Sequence, residues 1–333
     1  LSTMGLPVLR SDVVVIGGGQ AGLAAAYYLR RAGVDHVVLD AQPLPGGAWP
    51  QTWNSLRLFS IARHSSLPGW PMPSLSDGYP TAHHVVDYLA AYEKRYDVPV
   101  HRPVQVTSVS RGEDRLLVHT DAGTWSARHV ISATGTWWRP FRPLLDLPGR
   151  QLHTADYHDP LEFAGQKVVV VGGGNSGAQI AADLLPHTNL TWMTRRPPRY
   201  MPDEIDGKAL FDIATRRGGV GDLGDIVAVP PVREARDSGL LVATQMDTAA
   251  LSEADAVVWC TGFRPALSHL APLRLRDTEG RVAVDGTSAV EEPRLHLLGY
   301  GSWTGPASAT LIGVGSTAKA TVAKISAALA LRP

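Results

Sequence analysis

Two short glycine clusters hold the residues best suited to chemistry. Gly17, Gly19 and Gly22 in GGGQAG, and Gly172, Gly174 and Gly177 in GGGNSG, each fit the spacing G-x-G-x-x-G. In such a turn the first glycine allows the tight reversal and the second admits backbone N–H groups to a pyrophosphate. The third lets helix and strand pack closely, with the helix N-terminus facing the anion. The spacing alone is a weak signal, because glycine-rich strand-to-helix turns also serve packing. The residues downstream of each turn sharpen it. Asp40 stands 23 residues after Gly17, where a carboxylate can receive the hydroxyls of an adenosine ribose. The same count from Gly172 arrives at Arg195, with Arg196 beside it. A carboxylate repels a 2′-phosphate, whereas arginine pairs with it through charge-assisted hydrogen bonds. A solvated loop charge in TRRPPR is the plain alternative. The contrast points to one site for FAD and one for NADPH, with NADH as a weaker donor.

Further candidates surround these turns. Gln20 and Ala21 complete the first, and Ala41, Gly47, Ala48 and Trp49 come after the acid, where Gly-Gly-Ala-Trp suits a backbone passing close to a flat cofactor. Trp49, Trp53, Trp137 and Trp303 are predicted to converge on that ring, although core packing is the simpler role for any one of them. Leu58, Val106, Ala133, Thr134 and Gly135 are expected along the same cofactor, as are Gly301, Ser302, Ala309, Thr310 and Leu311. Around the second turn the candidates are Asn175, Ser176, Cys260, Thr261 and Gly262. Phe59, Ser60 and Arg57 are the candidate catalytic residues. Arg57 and Arg63 are the charged groups expected nearest the ring, against the alternative of a surface position.

The elements that position these residues repeat. DVVVI (Asp12 to Ile16) is a β-branched run suited to a strand buried on both faces, followed by a helix over Leu23 to Arg31 and a strand over Val34 to Asp40. KVVVV (Lys167 to Val171), a helix over Ala178 to Leu185 and a strand over Leu190 to Thr194 repeat the unit about 155 residues later. Each copy leads to a strand ending in a Thr-Gly turn, HVISATGTW (His129 to Trp137) and AVVWCTGFRP (Ala256 to Pro265). A meander over Gln105 to Ser110, Arg115 to Thr120 and Thr124 to His129 precedes the first, and Leu240 to Gln245 is expected to be its shortened counterpart. A strand over Arg294 to Leu298 and a helix from about Ala309 to Leu331 close the chain. The expected fold is α/β, with two Rossmann-like, glutathione-reductase-type nucleotide-binding domains, the second inserted in the first. An FAD-binding domain over 8–140 and 264–333 would then enclose an NADPH-binding domain over 141–263. Arg139-Pro140 and Arg264-Pro265 mark the crossings.

Composition narrows the class. Lysine plus arginine equals aspartate plus glutamate at 31 each, so no basic field favours nucleic acid or an acidic membrane. The expected partners are a small-molecule substrate and O2, with a homodimer left open. One cysteine, Cys260, rules out an internal disulfide and argues against a cysteine-built metal site. No apolar run is long enough for a transmembrane span, and the N-terminus lacks the regions of a signal peptide. Leu1 to Thr3, ahead of Met4, read as a cloning remnant. A cytoplasmic protein is the expectation.

With these motifs in view, the whole chain resembles the flavin-containing and Baeyer–Villiger monooxygenases. It is most similar to a small bacterial branch that includes the flavoprotein of arsenic-resistance operons. That family's fingerprint, F-x-G-x-x-x-H-x-x-x-(F/Y), is met in LPGRQLHTADY at Gly149, His153 and Tyr157, with Leu147 in place of the Phe. Tyr157, where Baeyer–Villiger enzymes carry Trp, favours the flavin-containing side. His153 is read equally as a hydrogen-bonded linker residue. The resemblance implies NADPH-driven flavin reduction, a hydroperoxyflavin, and oxygenation of a thioether, amine or ketone, with backbone amides near Ala309 to Leu311 facing the flavin's charge. LRLFSIARHSS lacks the Asn that larger relatives carry near the flavin, and Ser302 replaces a frequent Asp. These departures keep an NADPH oxidase that releases hydrogen peroxide as the alternative. A thioredoxin-reductase-like enzyme would need a Cys-x-x-Cys pair, which the single cysteine excludes. A non-catalytic nicotinamide sensor would need no flavin.

Overall fold

The computed structural model describes residues 7–75, 78–217 and 223–331; Leu1 to Thr3 and the last two residues of the expected first domain lie outside them. The chain opens with β1 (Val8–Ile16), α1 (Gln20–Arg31) and β2 (His36–Leu39). It continues through α2 (Ala82–Arg95), β3 (Val100–His101), β4 (Val106–Arg111), β5 (Leu116–Thr120) and β6 (Gly123–Ser132). β1 runs parallel to both β2 and β6, with Val13 to Ile16 almost fully buried, which explains an all-apolar run with no alternation. β4, β5 and β6 form the antiparallel meander.

The second unit contains β7 (Arg150–His153), β8 (Lys167–Val171), α3 (Asn175–Leu184), β9 (Asn189–Met193), α4 (Gly207–Arg217) and α5 (Pro230–Asp237). It ends with β10 (Ala243–Thr244), α6 (Thr248–Glu253) and β11 (Ala256–Trp259). These strands form a five-stranded sheet in the order β10-β9-β8-β11-β7. The chain then returns through β12 (Val284–Asp285), β13 (Ser288–Ala289), β14 (Leu295–Leu297) and α7 (Leu311–Ala330). β14 lies parallel to β6 and completes the first sheet, so that sheet takes strands from both ends of the chain. The mixed α/β fold carries two Rossmann-type sheets. At the crossings the two passages of chain pair with each other: Phe141 N donates to Gly262 O at 3.0 Å and Arg264 N to Arg139 O at 2.9 Å.

Two expectations are corrected and one is borne out. Leu240 to Gln245 is no antiparallel counterpart of the meander; only Ala243 and Thr244 pair, parallel to β9. The strand of HVISATGTW ends at Ser132, just before its Thr-Gly turn, where Gly135 has φ +70°. α7 begins at Leu311, with Thr310 as its N-cap accepting from Gly313 N at 3.0 Å. Among the described residues no helix is long and apolar enough to cross a membrane, and no group of three or more His, Cys, Asp or Glu is placed to hold a metal ion.

Candidate functional site

The first glycine turn joins β1 to α1, and its geometry tolerates no side chain. Gly17 has φ +109°, and a Cβ there would lie 2.3 Å from Ala133 O. At Gly22 a Cβ would lie 1.9 Å from Gly17 O, so the helix seats directly on the turn. Gly47 comes over the turn so closely that a Cβ on it would meet Gly19 Cα at 2.8 Å. This backbone floor borders a cleft of about 290 Å³. Ala41, Ala48, Trp49, Val106, Ala133 and Thr134 line it together with Gly135 and Trp137.

At the end of β2, Asp40 is 3% exposed. Its Oδ2 accepts from Arg102 Nε at 2.9 Å and Nη2 at 2.7 Å, and Arg102 Nη1 donates to Glu93 Oε1 at 2.8 Å. Burial opposes the Arg102 charge, but the hydrogen bonds to Glu93 and Asp40 outweigh it and raise its pKa. Among the described residues Asp40 Oδ1 accepts only from Gln42 N, at 3.3 Å, and it keeps acceptor capacity on the cleft side. The bare turn, the helix N-terminus and the anchored carboxylate together fit an adenine dinucleotide such as FAD.

The second turn joins β8 to α3 with the same construction. A Cβ on Gly172 would lie 2.2 Å from Cys260 O, and one on Gly177 would lie 2.1 Å from Gly172 O. Gly174, the N-cap of α3, has nothing within 4 Å of its Cβ position. The space beside the helix N-terminus is therefore open. Ser176 lies in the first turn of α3, and Asn175 Oδ1 accepts from Val227 N at 2.8 Å, tying the helix start to the segment before α5. Arg195 and Arg196 follow β9 and are exposed, on the same edge of the sheet as the glycine turn.

Between the two turns runs the crossing segment. Thr261 Oγ1 donates to Phe141 O, and Gly262 has φ +83°. His153, 1% exposed, donates from Nε2 to Gly262 O at 2.9 Å and accepts at Nδ1 from Ala155 N at 3.2 Å. Burial lowers its pKa, so it is a neutral clamp on the crossing. Tyr157 OH donates to Asp183 Oδ2 at 2.6 Å. The Cys260 thiol is pushed up to about 12 by burial and carries no thiolate near neutral pH. Cys260→Ser is therefore expected to keep NADPH-driven flavin reduction within about tenfold of wild type, roughly 1.4 kcal/mol. Stopped-flow bleaching of the flavin measures it, and a much larger loss in a yellow mutant would restore a catalytic thiol.

A second cavity, of about 260 Å³, adjoins the first and shares Trp49 and Ala309 with it. Leu58, Phe59, Leu311 and Ile312 supply its apolar walls, and Ser60, His64, Ser65 and Thr310 its polar ones. Trp49 is fixed by donating from Nε1 to Gln20 Oε1 at 3.0 Å, while Gln20 Nε2 donates to Ala309 O at 2.8 Å. Through Gln20 these bonds tie together the two residues that line both spaces.

Several expected positions fall elsewhere. Trp53 is packed in the core of the second unit with Tyr157 and Phe163, because the chain crosses over to that unit after Thr52. Arg57 Nη1 donates to Tyr79 O at 2.9 Å, and the side chain borders a small hollow beside Gln179 and Asp183, away from the cleft. Arg63 is exposed. Trp303 donates to Val282 O at 3.2 Å within the first unit's core cluster. Gly301 is occupied as an acceptor for Ser308 Oγ at 2.6 Å and Ser302 is exposed; Gly299 lines the cleft instead. Sequence reasoning misses Arg102, Glu93 and Gly207. A buried ion pair across 62 residues leaves no local pattern to read.

The class follows from the comparisons. The family described as pyridine nucleotide-disulphide oxidoreductase matches residues 14–298. Among solved structures, the flavin-containing monooxygenase from Stenotrophomonas maltophilia is 47% identical with a TM-score of 0.89, covering 97% of this chain and 100% of that one. A double mutant of it is 48% identical with a TM-score of 0.90 over the same shares. An uncharacterized oxidoreductase, CzcO, from Bacillus subtilis is 30% identical over 92% of this chain and 97% of its own length. The chain spans about half (51%) of the probable indole-3-pyruvate monooxygenase YUCCA9 from Arabidopsis thaliana, at 30% identity over 60% of this chain. This chain belongs to the flavin-containing monooxygenases. It is a flavin-dependent monooxygenase with the fold of a pyridine nucleotide oxidoreductase.

Proposed function

We propose that the chain oxygenates a small soft nucleophile, a thioether or amine, or a ketone, at the expense of NADPH. The observation that carries this reading is the apolar chamber of about 260 Å³ beside the dinucleotide cleft, with Trp49 and Ala309 lining both. When bound, FAD supplies the redox and oxygen chemistry, with NADPH as its electron source. The protein's own share is binding, orientation and exclusion of water. Gly17, Gly19 and Gly22 would hold the FAD pyrophosphate and Asp40 its ribose. Gly172, Gly174 and Gly177 would hold that of NADPH, and Arg195 and Arg196 its 2′-phosphate. Leu58, Phe59, Leu311 and Ile312 would shield a bound ligand from water with apolar walls. Thr310 caps Gly313 N alone, leaving the Leu311 and Ile312 N–H groups of α7 as donors toward developing negative charge. The boundaries we assign are 8–140 with 264–333 for the FAD-binding part and 141–263 for the NADPH-binding part. A cytoplasmic location suits an enzyme that draws on NADPH.

The test monitors NADPH oxidation, oxygen uptake and peroxide release together, with and without a simple aryl methyl thioether. The expected result is sulfoxide: one atom of O2 goes to sulfur and the other leaves as water, with two electrons from NADPH and a proton from solvent. Peroxide equal to the NADPH consumed, with thioether and ketone both untouched, would establish the oxidase reading instead.

A further inference from the structure

The two glycine turns share their construction but differ at the middle glycine. A Cβ on Gly18 would lie 2.6 Å from Asp40 Oδ2 and 2.8 Å from Arg102 Nη2. On Gly173 the nearest atom would be Thr194 Cγ2, at 3.5 Å, an ordinary contact. An ion pair therefore lies on the backbone of the first turn, and a methyl group takes that place on the second. Asp40 and Gly18 line the cleft, whereas Arg102 lies outside that lining with its side chain 10% exposed. A buried ion pair adds little stability beyond what packed apolar side chains would give, so the fold alone does not account for these charges.

Arg102 holds Asp40 from one side. Its Nε and Nη2 both donate to Oδ2, at 2.9 and 2.7 Å. A fork shared between the two oxygens is the frequent pairing of arginine with a carboxylate, and it would occupy both. The one-sided fork leaves Oδ1 with Gln42 N at a long 3.3 Å. Arg102 Nη1 donates to Glu93 Oε1 at 2.8 Å, so a residue of α2 stops the guanidinium from turning. The backbone is fixed on both sides of the pair: Asp40 N donates to His101 O at 3.0 Å, and Val104 N donates to Asp40 O at 2.8 Å.

We propose that Arg102 is a positioning residue of the FAD site: braced by Glu93, it turns the Asp40 carboxylate so that Oδ1 is the oxygen presented to the adenosine ribose. Gly18 carries no side chain because the pair lies on the turn to do so. At the second turn Thr194 takes the place of the pair, in keeping with arginines rather than an acid beyond β9. The inference rests on the assignment of Asp40 to the ribose above.

The test compares the release of FAD with that of an analogue whose adenosine is 2′,3′-dideoxy, loaded into the holoenzyme by exchange. Flavin fluorescence regained on serial dilution gives Kd for each. In the wild type the analogue should bind about tenfold or more weakly, because it offers Asp40 no hydroxyl. Arg102→Ala should weaken FAD about tenfold and leave the analogue within about twofold of its wild-type value. Arg102→Lys keeps a cation between the two carboxylates and so protects the fold, but a lone ammonium cannot hold the carboxylate's angle. It should lose at least about threefold for FAD and nothing for the analogue. Asp40→Ala combined with Arg102→Ala should bind FAD no worse than Asp40→Ala by itself. Arg102 variants that still discriminate as the wild type does, or losses that add in the double variant, would make Arg102 structural and overturn this proposal alone. A wild type that holds both flavins equally would refute the ribose assignment of Asp40 itself, and the proposal with it.

Discussion

Replacing Gly177 by alanine should give a protein that stays yellow and that NADPH no longer bleaches at a useful rate. The new Cβ would lie 2.1 Å from Gly172 O, a backbone atom at the centre of the turn. Backbone there cannot swing aside as a side-chain end can, so helix α3 must lift off the turn. The N–H groups that would hold the NADPH pyrophosphate move with it. We expect kcat/KM for NADPH to fall at least about a hundredfold, roughly 2.7 kcal/mol. The flavin should stay, because the first glycine turn belongs to the other sheet. Gly22→Ala should do the reverse: its Cβ would lie 1.9 Å from Gly17 O, and the protein should purify without colour. Gly174→Ala separates fold from ligand. Nothing lies within 4 Å of that Cβ, so folding and flavin content should be unchanged while NADPH binding weakens. Flavin absorbance after purification and stopped-flow bleaching read all three. Normal bleaching in Gly177→Ala would place the nicotinamide nucleotide elsewhere.

These effects are large because both turns are legible in the sequence for a steric reason. Only glycine fits where a helix seats on the strand that feeds it, so the requirement is local and leaves a local pattern. β1 and β8 are legible for a similar reason, since a strand buried on both faces must be apolar at every position. α2 is not among the expected elements, although it carries a local signal in its cap and its apolar face. Thr81 caps it by accepting from His84 N, and Val85, Tyr88, Leu89 and Tyr92 fall on one helical face, all buried.

Trp53 and Arg57 show what could not be read. Both come only a few residues after Gly-Gly-Ala-Trp, and proximity along the chain suggests the same cofactor. The chain instead leaves the cleft after Thr52, buries Trp53 in the second unit and returns at Leu58 and Phe59 to wall the chamber. Such a crossing has no periodicity. Its marks are contacts with Tyr157, Phe163 and Gly207, each about a hundred residues or more away. The anchoring of Asp40 by Arg102 is invisible for the same reason. The acid is readable from its distance to Gly17, but the group that orients it is not.

The nicotinamide preference is the part of the second site that depends on charge rather than shape, and changing Arg195 and Arg196 together should abolish it. Both side chains are exposed just past β9. Thr194 before them is buried and held by Thr244 O at 2.9 Å, so the segment that presents them is fixed even though their tips are free to meet a ligand. Charge-assisted hydrogen bonds to a 2′-phosphate are worth about 1.5–3 kcal/mol, so the wild type should prefer NADPH over NADH by about tenfold or more in kcat/KM. Arg195→Ala alone should remove part of the preference, since Arg196 can take over some of the contact. The double alanine should remove nearly all of it by raising the KM for NADPH, with the NADH rate almost unchanged because NADH never engaged those groups. Neither arginine packs in the core, so stability and flavin content should hold. Steady-state kcat/KM for both nucleotides, in the wild type and the three variants, measures this directly. Equal use of NADH and NADPH by the wild type would mean that the two guanidinium groups face only solvent, and the contrast between Asp40 and Arg195 would carry no information about the cofactor.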